Sequence, residues 1–329
     1  MASEKLLDGV ASIIADYRKG EIAEPDADHV NHWISQFDVE VRDPILNEIQ
    51  HVLGRTYVTR SNVNKFLKGL STHEKLTNGK AKKFWTETSI LRIQHNGSSQ
   101  KEMLQILGEI LLKEHQVDID TSSQNGDVAV YIDDVVFSGG HVRGDLVEWV
   151  TNKAPEKVTI HIIVLAYHSG GQWFADQRIQ EAAKNAGKKV KLNWWRIHEL
   201  EDRRAYINQS DVLRPVKIPN HKLSEAYAKA LKDKGFPPVL RTPGSVGNAK
   251  FFSGEEGRDL LEQQFLIKGT EIRKESPFLN EYQRPLGNMV LNTLGFGSMI
   301  VTFRNCANNC PLALWAGDPW NPLCPRRTN

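Results

Sequence analysis

Apolar positions recur at helical spacing through residues 1–83. Leu6, Leu7, Val10, Ile13 and Ile14 share one face, and Gly20 and Pro25 end that pattern. The same spacing over 29–37, 44–53 and 62–70 predicts three further helices. Nothing in this N-terminal helical region points to chemistry, so packing or docking is its expected role. At Phe84 the period changes. Residues 89–94, Ser-Ile-Leu-Arg-Ile-Gln, alternate as a strand does and open into His95-Asn96-Gly97-Ser98-Ser99-Gln100. An apolar helix with Met103, Leu104, Ile106, Leu107, Ile110 and Leu111 follows.

A second strand, Val128 to Ile132, runs into Asp133 and Asp134. After the spacer Val135 to Phe137 come Ser138-Gly139-Gly140-His141 and a helix reaching about Asn152, with Val142, Leu146, Val147, Trp149 and Val150 on one face. Strands over 158–167 and 190–197 enclose a helix over 173–186. Strand and helix alternating at this spacing predict an α/β fold, a parallel sheet with helices on both faces. Ligands of such sheets bind beyond the carboxyl ends of the strands, where both small-residue loops fall. Residues 84–210 are thus the expected core. From Asp211 the chain is richer in Pro and Gly, with helices predicted over 223–232 and 257–267, and 211–329 reads as a C-terminal extension completing the core.

Composition narrows the function classes. The 329 residues suffice for a full core, and 40% hydrophobic and 25% charged residues are ordinary for a globular chain. A net charge of +2 gives no global field for nucleic acid, and the basic clusters Lys80–Lys83 and Lys184–Lys191 read as solvated surface. No apolar run is long enough to span a bilayer, and the N-terminus lacks the apolar core of a signal peptide, so a cytoplasmic protein without a membrane partner is expected. Three cysteines, Cys306, Cys310 and Cys324, suit reduced thiols. They lack a fourth ligand nearby, so no zinc site is expected.

The chemistry concentrates in residues 128–141. The strand delivers two carboxylates, able to grip sugar hydroxyls, to its exposed end. The glycines that follow let backbone N–H groups close around an anion at a helix N-terminus. Acidic strand ends before glycine are common in α/β proteins, but the pairing here describes a ribose-phosphate site. A receiver domain also ends a strand with paired acids. It needs a phosphate-accepting Asp on a later strand, and the next strand ends in His168-Ser169-Gly170-Gly171.

This stretch resembles the phosphoribosyl-pyrophosphate (PRPP) signature of type I phosphoribosyltransferases: apolar strand, two acids, short spacer, Thr/Ser-Thr/Ser-Gly-x-Thr. Asp133 and Asp134 match the acidic pair, Ser138 the second hydroxyl and Gly139 the glycine, while Phe137 and His141 stand where the family has hydroxyls. The resemblance implies a type I phosphoribosyltransferase-like core. Asp133 and Asp134 would be catalytic, Phe137 to His141 would hold the 5′-phosphate, and Mg²⁺ would be carried by the substrate with no direct protein ligand. It also implies a pyrophosphate loop at Gly97, Ser98, Ser99 and Gln100, helped by Arg92. The order of loop, helix and acidic strand agrees with that assignment.

Trp33, Gln36 and Phe37 together with the tail Arg304-Asn305, Asn308-Asn309, Pro311, Trp315, Pro322-Leu323 and Pro325-Arg326 narrow the likeness. They resemble phosphoribosyltransferase-like effectors of bacterial conflict systems, including those encoded beside retron reverse transcriptases. The resemblance implies an anti-phage effector acting on nucleotide or PRPP pools, with a reverse transcriptase and its RNA–DNA product as partners. Arg304, Asn305 and Asn309 are candidates for an acceptor pocket. Buried amides of this kind either hold a turn or face a ligand. The alternative function is an inactive nucleotide sensor or assembly module on the same fold. Oligomeric state is left open.

Overall fold

The computed structural model describes residues 2–95, 98–121, 126–276 and 278–326. Two compact units divide the chain, residues 1–60 with 200–329, and residues 61–199. In chain order, α1 (Glu4–Ile13), α2 (Ala27–Ile34), α3 (Arg42–Thr56) and β1 (Tyr57–Val58) open the first unit. The second holds α4 (Arg60–Ser71), α5 (Glu74–Thr77), α6 (Ala81–Glu87), β2 (Ser89–Ile90), α7 (Ser99–His115), β3 (Val128–Ile132), β4 (Val135–Val136), α8 (Gly140–Asn152), β5 (Lys157–Ile163), β6 (Ala166–His168), α9 (Ser169–Asn185), β7 (Lys189–Trp195) and β8 (His198–Leu200). The first unit resumes with α10 (Lys222–Asp233), α11 (Glu255–Glu275), the pair β9 (Gln283–Arg284) and β10 (Gly287–Asn288), then β11 (Val301–Thr302), β12 (Asn305–Cys306) and α12 (Leu312–Trp315).

The units cut the chain differently from the expected boundaries at 83/84 and 210/211. Helices α1 to α3 bury Val10, Ile14, Trp33, Ile34, Ile49 and Leu53 in one cluster with Phe265 and Leu266 of α11 and with Leu312, Leu314 and Leu323. Hydrogen bonds seal this join. Trp33 Nε1 and Trp320 Nε1 both donate to the Ala313 carbonyl, at 2.7 and 3.0 Å. The Gln36 carboxamide donates to the Asn321 carbonyl and accepts from the Asn321 N–H, both at 2.8 Å. The first three helices are therefore half of a core whose other half lies at the far end of the sequence. No described helix is long and apolar enough to cross a membrane.

The second unit is the α/β layer. Its main sheet is parallel throughout, in the order β2-β3-β5-β7. Val130, Ile160 and Ile162 are fully buried, as strands covered on both faces require. A smaller sheet has the order β4-β6-β8, with β4 and β6 parallel. The expected strand over 158–167 is thus two strands. The chain steps from one sheet to the other after Ile132 and again after Ile163. Backbone bonds carry the pairing across the step: Asp133 N–H to the Ile163 carbonyl at 3.0 Å, and Leu165 N–H to the Asp134 carbonyl at 2.7 Å. The expected strand over 89–94 shortens to β2 for a local reason. Beyond Leu91, the Ile93 and Gln94 N–H groups turn to the Gln100 side-chain oxygen, at 2.9 and 3.0 Å.

Candidate functional site

Asp133 and Asp134 occupy the step between the two sheets, not an exposed strand end. Asp133 is 4% exposed and Asp134 half-buried. Each carboxylate accepts from the next backbone N–H, Asp133 Oδ1 from Asp134 at 2.9 Å and Asp134 Oδ1 from Val135 at 2.6 Å. Two residues before Asp133, and so on the same face of the strand, stands the buried Tyr131. Its hydroxyl donates to Asp145 Oδ2 at 2.8 Å and lies 3.4 Å from Asp133 Oδ2. Burial, reinforced by Asp133 and Asp145, holds the phenol proton well above its usual range.

The Ser138–His141 loop follows β4 and opens α8. Gly139 is the residue before the helix and has φ 76°, a conformation that glycine adopts without strain. Its α-carbon faces a second loop: a β-carbon on Gly139 would lie 2.1 Å from the Gly171 carbonyl oxygen. Ser138 and His141 are exposed, and the Gly140 N–H lies 3.5 Å from Ser138 Oγ. The first N–H groups of a helix have no acceptor within it, so the amide end of α8 is suited to an anion. Phe137, at a position where the phosphoribosyltransferases carry a hydroxyl, stacks its ring on His168 with centroids 5.1 Å apart. His168 is fully buried, and its Nδ1 lies 3.0 Å from the Val136 carbonyl oxygen. A carbonyl only accepts, so Nδ1 carries the proton.

The expected pyrophosphate loop lies in the same unit. Gly97 lies outside the described residues. Ser98 precedes α7 and Ser99 is its first residue, with Oγ accepting from Gln94 Nε2 at 2.8 Å. Gln100 is buried, and both ends of its carboxamide are used: Oε1 by Ile93 and Gln94, Nε2 in a 3.3 Å bond to the Ile132 carbonyl. Through these bonds it shapes the loop. Arg92 is ion-paired with Asp120, and His95 Nε2 lies 3.0 Å from Glu148. Between this segment and α8 is a cleft of about 180 Å³, lined by Arg92, His95, Asp145, Glu148 and Lys153 among others.

Arg304, Asn305 and Asn309 belong to the other unit. Asn305 closes a turn with Thr302, backbone N–H to Oγ1 at 3.3 Å, and Asn309 Nδ2 donates to the Asn288 carbonyl at 3.0 Å. The Asn309 carboxamide thus ties the tail to β10, and the Asn305 contact is one of its backbone. Arg304 is buried and engaged. The thiols of Cys306, Cys310 and Cys324 are free and buried. Among the described residues no group of three or more His, Cys, Asp or Glu side chains could hold a metal ion.

A parallel sheet, an acidic pair at its carboxyl side and a glycine loop opening the next helix set the frame for comparison with known families. The description of the PRTase-CE family matches residues 30–326. The chain belongs to the PRTase-CE family. Its fold is thus phosphoribosyltransferase-like, and the match runs from α2 to the end of the described tail, taking in both units. No curated protein and no solved structure matches the chain. In this PRTase-CE chain the spacing of acids and glycines marks residues 128–141 as the candidate site. The sequence gives no role to Tyr131, Asp145, His168 or Gly171. Alternation along β3 would have paired Tyr131 with Asp133, and Gly170-Gly171 was visible as a second small-residue loop. Nothing local marks Asp145 or His168.

Proposed function

We propose that this chain binds a 5-phosphoribosyl ligand, PRPP or a nucleotide, at the step between its sheets, and that it is a phosphoribosyltransferase-like enzyme. The observation that carries the proposal is the placing of the α8 amide end, behind the Gly139–Gly171 contact, on the segment that directly follows Asp133 and Asp134. Backbone N–H groups of Ser138 to His141 would hold the 5′-phosphate, and the acidic pair the ribose hydroxyls. Mg²⁺ binds phosphate oxygens and waters with few protein ligands, so it would arrive on the substrate and neutralise the leaving pyrophosphate. As the bond between C1 and the pyrophosphate oxygen breaks, its electron pair leaves with the pyrophosphate. Positive charge develops on the ribose, where two carboxylates stabilise it until a nitrogen nucleophile or water bonds to C1.

The biological role proposed is that of an effector, acting in the cytoplasm on nucleotide or PRPP pools in an anti-phage system such as a retron. It rests on the likeness of the Trp33–Phe37 and 304–326 motifs to such effectors. A reverse transcriptase with its RNA–DNA product would be the restraining partner.

Phe137 favours a second reading. Its ring packs on His168 where the transferases present a hydroxyl, which suits a module that keeps the ligand and not the chemistry. Expression of the chain alone, with metabolite profiling, separates the two. The enzyme arrests growth and shifts nucleotide or PRPP pools, and Asp134→Ala relieves both. Arrest with unchanged pools, or arrest undiminished by Asp134→Ala, leaves the binding module.

A further inference from the structure

The parallel sheet of the second unit ends in β7. Among the described residues this strand pairs on one side only, with β5. Two bonds at the ends of that ladder fix which backbone groups face β5: Lys189 N–H to the Glu156 carbonyl at 2.7 Å, and Val164 N–H to the Trp195 carbonyl at 2.9 Å. Alternation along the strand then turns Lys189, Lys191, Asn193 and Trp195 inward, and Val190, Leu192 and Trp194 outward. The Val190 carbonyl accepts from Gln180 Nε2 of α9 at 3.2 Å. The outward N–H and carbonyl groups of Leu192 and Trp194 have no partner among the described residues.

Lysines frame this edge. Lys189 and Lys191 are exposed on one face of the sheet, and Lys189 stands in register with another exposed lysine, Lys157 of β5. Val190, Leu192 and Trp194 pack on the other face, in one cluster with Ala175, Ile179 and Ala183 of α9. There Lys184 is exposed one turn beyond Gln180, on the helix face that reaches the edge. None of these four lysines has a carboxylate partner among the described residues. Like charges side by side repel, and an anion among them relieves that. A second copy does not supply one. β7 carries two lysines and no acid, so edge-to-edge pairing of two copies would line one seam with lysine.

We infer that the outer edge of β7 is a docking site for an acidic, extended segment of a partner protein, which adds to the four-stranded sheet as a further strand. The segment's backbone takes the Leu192 and Trp194 groups, and its carboxylates lie among the lysines.

The test is titration of the full chain with a short capped peptide alternating Glu and Thr, read by calorimetry and hydrogen exchange. The peptide is expected to bind and to slow exchange at the Leu192 and Trp194 amides, which exchange fast in the chain alone. Its lysine counterpart, and the acidic peptide with an N-methylated backbone, should not bind. Lys189→Glu with Lys191→Glu changes only exposed side chains and should weaken binding at least about tenfold. No binding of the acidic peptide at millimolar concentration overturns the inference, as does binding that leaves both amides unprotected. Protection that rises with protein concentration in the absence of peptide assigns the edge to a second copy and also overturns it. So does binding of a single-stranded oligonucleotide that the lysine variant loses, where the peptide protects neither amide.

Discussion

Gly139 and Gly171 meet backbone to backbone, with no room for a side chain at either. A β-carbon on Gly139 would fall 2.1 Å from the Gly171 carbonyl oxygen, and one on Gly171 2.0 Å from the Phe137 carbonyl oxygen. The loops that open α8 and α9 are locked together there, and the Ser138–His141 loop takes its shape from that contact. Both obstacles are backbone atoms, which cannot swing aside as a side chain does. Gly171→Ala should destabilise the protein by about 1–3 kcal/mol in urea titration, as overpacking does. It should also weaken phosphate binding although position 171 lies on a different loop. Gly139→Val adds the cost of a side chain at φ 76° and should be worse on both counts. An alanine variant at 171 as stable as the parent would show that the loops can separate.

The acidic pair splits under substitution. PRPP with Mg²⁺ should raise the melting temperature of the unaltered chain, and the double change to Asn should abolish the rise. Asp134 is half-buried, and Asn can still accept the Val135 N–H. Asp134→Asn should therefore remove ligand stabilisation at a cost within about 1 kcal/mol in the free protein. Asp133 is buried beside Tyr131, so Asp133→Asn should lower both. Thermal shift with and without ligand reads the two effects together. A shift that survives the double change places the ligand elsewhere.

His161 should make stability depend on acidity. Burial, aided by Lys191, lowers its pKa to about 4. Trp195 Nε1 donates to its Nδ1 at 3.0 Å, a bond available only to the neutral ring. The folded pKa lies below the ordinary value near 6.5. The unfolded chain therefore binds the extra proton first, and folding stability falls as pH drops from about 6.5 to about 4. Chemical denaturation across that window should show the slope, and His161→Gln should flatten it. An unaltered slope in the variant would assign it to other groups.

In the first unit, Glu262 is a fully buried carboxylate shared by two arginines. Arg258 Nε donates to it at 2.7 Å, Arg241 Nη2 at 3.1 Å and the Arg214 N–H at 2.9 Å. Arg258 goes on to the Ser210 and Val212 carbonyls, each at 2.9 Å, and so pins residues 210–212 to α11. Glu262→Ala leaves buried Arg258 without a carboxylate and buried Arg241 with Asp259 alone, and should cost about 3–5 kcal/mol. A denaturant midpoint close to the parent's would show that water replaces the carboxylate.

Near-neighbour patterns carried most of the elements into view. The apolar face of α1, the strand–acids–glycine order of 128–141 and the helix α10 depend on residues a few places apart, which is the range over which periodicity and turn chemistry act. These patterns established the α/β class and brought the acidic pair and the glycine loop together in one segment. Tertiary structure decided what distant residues do to one another. The join of Trp33 to Ala313 spans most of the chain and leaves no periodic trace, so the helical region expected over 1–83 looked separate from the core that its first 60 residues complete. The step after Ile132 and Ile163 arises from pairing between strands, and it buried Asp133 where an exposed strand end was expected. Tyr131, Asp145 and Gly171 acquired their roles for the same reason. A lone hydroxyl, a helix carboxylate and a second glycine mean little in sequence until packing sets them against the acidic pair and its loop.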